Sequence, residues 1–347
     1  MVAYARRKLL GRDRKAVYHC WARCVRRAFL CGRDPLTGRD FSHRRDWILT
    51  REEQLSALFA IEVEFHAELS NHLHLMLRSR PDVARRWSAS EVARRYLTIM
   101  RIAKCMTDDL PKPNEKRIEQ AVRNKKRIQQ MRRRLSNISW FMGILCENIA
   151  RRANREDDSP GRFFETRFRC RECADPTGML ICALYVDLNP IKAGEAASPR
   201  TARYTSAYQR ILAQEQRPNS PNRADGWLGE LTLRAETLQD EKIAFSSRWG
   251  RRASDLGLLE ISLENYLRLL EWTAGQLRSG KRSTVPKDVE TLLDYLEVNE
   301  DAWLDTLQRY DSVFCHAVGS PAALAEVAQR MGRSCLKGAS ASRRLFA

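Results

Sequence analysis

His72 and His74 are separated by a single apolar residue in the run Glu64-Phe-His-Ala-Glu-Leu-Ser-Asn-His-Leu-His-Leu-Met-Leu77. In an alternating segment the two imidazoles point to one face of a β-strand. Their Cβ atoms then lie roughly 7 Å apart, so one divalent ion can take a nitrogen from each ring. Far downstream, Tyr185 and Asn189 stand four residues apart in Leu184-Tyr-Val-Asp-Leu-Asn-Pro190. On a helix that spacing puts a phenol and an amide oxygen on one face. A cation held by two imidazoles and an amide, beside a phenolic hydroxyl, could cut a phosphodiester and keep the cut end covalently.

Both pieces also have plainer readings. A His-x-His pair suits the wet face of a sheet, and zinc, manganese and non-haem iron sites all use it. Leu73, Leu75 and Leu77 belong to the core side, which leaves the two imidazoles on the open face. Tyr185 lies in an almost wholly apolar stretch, equally suited to a core tyrosine with a satisfied hydroxyl.

The elements that must position these residues can be read from periodicity. Residues 16–25 read as a first strand, with a basic turn at Arg26-Arg27. Residues 43–60 carry helical spacing through Trp47, Ile48, Leu55, Leu58 and Phe59. Residues 61–69 and 72–79 read as a hairpin turning at Ser70-Asn71. Ser88 or Ser90 caps a helix through Ile99. Residues 101–137 read as an insertion of helices with one basic face: ten Lys or Arg fall between Lys112 and Arg134, over a sparse stripe of Ile118, Val122, Ile128, Met131 and Leu135. A helix to about 154 follows, then a strand over 161–173 rich in aromatics and arginines. Asp175-Pro176 caps a helix that carries Tyr185 and closes near Gly194. Pro190 disfavours the α conformation at Asn189 and marks a place for that helix to kink or stop. Residues 212–226 have linker composition, and helices alone are expected beyond them. The reading is an α+β fold: an antiparallel sheet covered by helices over 1–211, a linker at 212–226 and a helical C-terminal region over 227–347.

The chain has 347 residues and a net charge of +18, with the basic residues clustered. Such a surplus favours a polyanionic partner, because each Lys or Arg on a phosphate releases counterions. Arg26, Arg27, Arg167, Arg169, Lys125, Lys126 and Arg127 are the candidate DNA contacts. Phe163, Phe164 and Phe168 could stack on unpaired bases, although alternate strand positions must point inward. No apolar run approaches a membrane span, and the N-terminus lacks the apolar core of a secretory signal. The ten cysteines are scattered, as reduced thiols in a cytoplasm would be, and Cys170-Arg-Glu-Cys173 lacks the second pair a structural zinc site needs.

Four segments in order resemble the single-tyrosine HUH transposases, in particular the REP-associated tyrosine transposases. They are Val17-Tyr-His-Cys-Trp-Ala-Arg-Cys24, Leu69-Ser-Asn-His-Leu-His-Leu-Met-Leu77, Gly161-Arg-Phe-Phe-Glu-Thr-Arg-Phe-Arg169 and Tyr185-Val-Asp-Leu-Asn-Pro-Ile-Lys-Ala-Gly194. Tyr204-Thr-Ser-Ala-Tyr208 looks like the motif that closes that domain. The resemblance covers about 16–210. It implies a ferredoxin-like core with both histidines on a central strand. It further implies Mg²⁺ or Mn²⁺ on His72, His74 and Asn189, and Tyr185 as the nucleophile. The implied substrate is single-stranded or hairpin DNA, cut through a 5′-phosphotyrosine by a monomer or homodimer. Two other readings compete. One is a non-catalytic nucleic-acid-binding regulator that keeps the fold, with Ala323-Leu-Ala-Glu-Val-Ala-Gln-Arg-Met-Gly-Arg-Ser334 as a faint helix-turn-helix cue. The other is a zinc enzyme in which His19 or His66 joins His72 and His74.

Overall fold

The computed structural model describes residues 9–345 apart from 12, 217–224, 234–245, 248, 254–255 and 280–284. The expected linker at 212–226 therefore lies partly outside the described residues. Its first part, to residue 216, is the end of a helix.

A five-stranded sheet forms the centre. Strands β1 (Ala16–Arg23), β2 (Ile61–Glu68), β3 (His72–Ser79) and β4 (Arg169–Cys173) lie in the order β2-β3-β1-β4, all antiparallel. This is the order of a ferredoxin-like βαββαβ unit. Helix α1 (His43–Leu58) joins β1 to β2. A longer helical excursion joins β3 to β4: α2 (Pro81–Arg86), α3 (Ala89–Ile102), α4 (Glu115–Val122), α5 (Lys125–Leu135) and α6 (Ile138–Glu156). Helix α7 (Pro176–Lys192) follows β4, and α8 (Ser206–Gln216) follows it.

The strand patterns assign the two faces. His74 lies opposite Trp21 and Ala67, and His72 opposite Arg23. These residues share a face with His19, Arg169 and Arg171. Helix α7 packs on this face. The reverse face carries Leu73 and Leu75 opposite Glu68 and His66; α1 packs on it, and α6 packs against α1. Both faces are thus buried, which corrects the expectation of an open face beneath His72 and His74. The reason is α7, whose run Leu180–Leu184 is almost fully buried.

The basic segment folds as expected into helices capped by Asn114 and Asn124, whose side chains accept from Arg117 N and Arg127 N. Ile118, Ile128, Met131 and Leu135 are buried, whereas Val122 is exposed. The strand expected over 161–173 is shorter. Only 169–173 pairs regularly; 163–165 meets the end of β1 through Val25 N to Phe163 O and Glu165 N to Arg23 O. There β1 turns away, with Arg26 and Arg27 both at positive φ, so no straight ladder can continue.

Helices α9 (Leu263–Ser279), α10 (Lys287–Tyr295), α11 (Glu300–Val313), α12 (Pro321–Arg330) and α13 (Ala339–Leu345) make up most of the C-terminal region. That region is not helical throughout. It includes a small hairpin of β5 (Ser246–Ser247) and β6 (Gly250–Arg251). It also includes β7 (Ala317–Val318), which joins the central sheet parallel to β4 and makes it mixed. Helices α9 and α11 pack on α7. Asp187 fixes this join: its carboxylate accepts from Ser206 Oγ, Ala207 N and Tyr266 Oη, so α7, α8 and α9 meet on one fully buried acid. Gly178 allows the other close approach, since a Cβ there would fall 2.3 Å from Val318 O.

Candidate functional site

Helix α7 begins where the sequence places it. Pro176 supplies the first turn and the Asp175 carboxylate accepts from Gly178 N at 2.7 Å. The helix does not kink or stop at Asn189. Pro190 removes one N–H only a turn before the end, and Ala193 N still reaches Asn189 O. Tyr185 and Asn189 therefore keep one helical face, turned to the sheet.

The sheet delivers the histidines to the same place. The rings of His72 and His74 are 4.9 Å apart, and that of Tyr185 lies 5.6 Å from His74. The Asn189 side chain lies near both His72 and the Tyr185 hydroxyl. Residues separated by more than a hundred positions thus converge. Each imidazole is held through Nδ1: that of His72 by Asn71 Oδ1, that of His74 by His19 Nε2 at 2.8 Å. Such outer partners orient a ring and leave Nε2 available as a ligand. His74 Nε2 and Asn189 Nδ2 are buried and lack a hydrogen-bond partner.

Electrostatics favours the uncharged rings. Burial, and then the nearby Arg23, lowers His72 to about 4. His74 is driven well below its ordinary value by burial, then by His72 and His19, and His19 likewise by burial. Neutral imidazoles have the lone pair that a cation needs. The phenol moves the other way: burial and then the Asp311 carboxylate raise Tyr185. Its hydroxyl donates to Asp311 Oδ2 at 2.7 Å, and Asp311 is also paired with Arg171 at 3.0 Å.

Tyr185 is only 4% exposed. The Tyr310 ring of α11 stacks on it at 4.1 Å, and Lys192 Nζ lies 5.0 Å from its ring centre. Sequence reasoning missed Asn71, Tyr310 and Asp311, and named His19 only as an alternative zinc ligand, not as the hydrogen-bond partner of His74. A signal existed for His19, which alternates with Trp21 on β1 just as His72 alternates with His74. Asp311 had none, being 126 residues from its partner.

No family model, curated protein or solved structure matches this chain. The site must therefore be read from its own chemistry.

The seven candidate DNA contacts, Arg26, Arg27, Arg167, Arg169, Lys125, Lys126 and Arg127, are all exposed. Arg27 lies beside the histidine strand, its carbonyl accepting from Asn71 Nδ2, and Arg169 stands opposite Trp21 on the site's face. Helix α5 meets the sheet at the far end of the hairpin, where Ala60 N donates to Leu135 O and Ser79 Oγ to Ser136 O. Phe163 and Phe168 are core residues and Phe164 packs edge-on against Phe163, so these rings are not the exposed stacking platform considered above. All ten cysteines are free thiols.

A second cluster lies on the reverse face of the sheet. Glu52, His66 and Glu68 are fully buried, and one potential ligand atom from each lies within 4.8 Å of the others, so the cluster could hold a metal ion. His66 is thus directed away from His72 and His74, while His19 supports His74 from the same face as a hydrogen-bond partner. Among the described residues no helix is long and apolar enough to cross a membrane.

Proposed function

We propose that this protein is a metal-dependent tyrosine transposase or nuclease that cuts and rejoins single-stranded or hairpin DNA through a 5′-phosphotyrosine. One observation carries the reading: His72, His74, Asn189 and Tyr185 converge on one face of the sheet, with both Nδ1 atoms already engaged and His74 Nε2 unpartnered. Two neutral imidazoles and an amide can hold a divalent ion; the resemblance to the HUH transposases, rather than the donor set, is what points to Mg²⁺ or Mn²⁺. Such an ion would polarise the scissile phosphoryl group.

The chain's own residues do the rest. The Tyr185 oxygen attacks phosphorus and its proton passes to Asp311, which already accepts it at 2.7 Å. The bond from phosphorus to the 3′ oxygen breaks, and that oxygen takes up the proton received by Asp311, leaving as a free 3′-OH. A 3′-OH from another strand can later reverse the step, and covalent storage of the bond removes any need for ATP. Arg171 holds Asp311 in position. Because Tyr310 covers the phenol, a bound strand must displace α11 or enter from the half-exposed Asp311 side.

The test is a denaturing gel of full-length protein with pooled labelled hairpin oligonucleotides and Mn²⁺. Wild type should give a protein-linked fragment and Tyr185→Phe none. A retained adduct in Tyr185→Phe sinks the assignment. A wild type that binds hairpins with no adduct favours the non-catalytic regulator, the reading supported by the buried phenol.

A further inference from the structure

The reverse face of the same hairpin offers a site that the cutting chemistry does not use. Glu52 comes from α1, and His66 and Glu68 come from β2. All three are completely buried. Two carboxylates in such a place are costly unless a cation or proton compensates them. Among the described residues no Arg or Lys pairs with either acid. Glu68 has His66 Nδ1 at 3.0 Å, and as a carboxylate Glu52 has no donor on either oxygen. His66 Nε2 is unpartnered as well. The two acids are close enough to share a proton, so the site holds either a proton or a metal ion.

We propose that Glu52, His66 and Glu68 bind a divalent transition-metal ion that pins α1 to β2 directly behind the histidine strand. The charge argument is direct: two carboxylates and a neutral imidazole carry −2, which one divalent cation cancels. The ligand chemistry narrows the class. A mixed set of carboxylate oxygen and imidazole nitrogen suits Zn²⁺, Mn²⁺ or Fe²⁺. Mg²⁺ keeps several waters and prefers all-oxygen shells, which a fully buried cluster with an imidazole does not provide. Outer contacts support the ligands: the His66 ring packs 5.5 Å from that of Trp227, His66 N donates to Ser206 Oγ and Glu68 N donates to Tyr204 O. Closing the helix onto the strand would make the ion a folding element.

The inference does not depend on strand cleavage, and its test avoids it. The full-length His72→Ala/His74→Ala protein is purified without chelator, and its metal is counted by mass spectrometry. The expectation is about one Zn²⁺, Mn²⁺ or Fe²⁺ per chain. Chelation should remove it with a lowered melting temperature, and adding back the same metal salt should restore both. Glu52→Gln/Glu68→Gln in that background should abolish retention. X-ray absorption on the His72→Ala/His74→Ala protein gives a readout that needs no further variant: a shell of oxygen and one imidazole supports the site, and a sulfur shell overturns it. Protein that retains no metal and neither binds nor is stabilised by any of the three salts also overturns it, leaving the acids to share a proton.

Discussion

His72 is the side chain whose environment makes the clearest demand on solution behaviour. Its folded-state value of about 4 lies below the ordinary 6.5, so folding favours the neutral ring. The sign follows from linkage: this contribution to stability is full above pH 6.5 and is lost as pH falls towards 4. Urea midpoints of metal-free protein should decline over that window, and His72→Gln should flatten the decline. A wild-type profile that the substitution leaves unchanged would mean that the ring is freely solvated. At this scale much of the site was legible in the residues. A His-x-His pair on an alternating segment, and a Tyr and Asn one turn apart, are local patterns with local geometric meaning. The partners that finish the site are not local. Asp311 and Tyr310 come from a helix more than a hundred residues away, and nothing in their own surroundings marks them. His66 carried its signal in plain view, two residues before Glu68, but its third partner, Glu52, sits on a helix whose facing cannot be fixed from spacing alone.

Helix α7 is the element on which the arrangement turns. Its cap, Asp175, does two jobs: Oδ1 accepts from Gly178 N and Oδ2 from Ser320 N, each at 2.7 Å. The second bond ties the start of α7 to the start of α12. Replacing a cap by alanine costs about 1 kcal/mol, and orphaning the Ser320 amide adds about 1 more. Asp175→Ala should therefore lower stability by about 2 kcal/mol in denaturant titrations; a change no larger than that of a surface substitution would show that neither bond matters. The strands and helices with strong periodicity were readable: β1, the β2–β3 hairpin, α7 with its cap, and the largely helical character of the region after the linker. The failures have physical causes. Residues 161–168 look like a strand because aromatics are dense there, yet they adjoin β1 where its backbone turns away. Strand β7 is two residues long and has no pattern to read. Pro190 predicts an interruption, but a proline one turn from a helix end sacrifices a single hydrogen bond, which the buried packing of Asn189 and Ile191 outweighs.

Across the whole molecule, charge and topology separate two basic regions. Arg26, Arg27 and Arg169 surround the histidine end of β3, whereas Lys125, Lys126 and Arg127 belong to a helix that joins the sheet at the opposite end. A strand of eight residues sets those ends roughly 25 Å apart. If DNA is cut at the histidines, neutralising Arg26, Arg27 and Arg169 should weaken oligonucleotide binding and lower the salt slope by about one per lost phosphate contact. Neutralising the three α5 residues should leave binding of a short hairpin nearly unchanged and affect only longer substrates. Binding isotherms over a salt series decide this, and equal effects from both triplets on a short hairpin would contradict the layout. The sheet also imposes a constraint of parity. His72 and His74 face one way, Leu73 and Leu75 the other, and His66 and Glu68 follow the leucines. Losing or gaining one codon in the bend at 69–71 would shift β3 by a single step against its neighbours, turn imidazoles into the layer of the leucines and leucines into the polar one, and so dismantle the His72–His74 site while leaving Glu52, His66 and Glu68 in place. Length variation among descendants of this chain is therefore expected in the excursion between β3 and β4, and not in that bend.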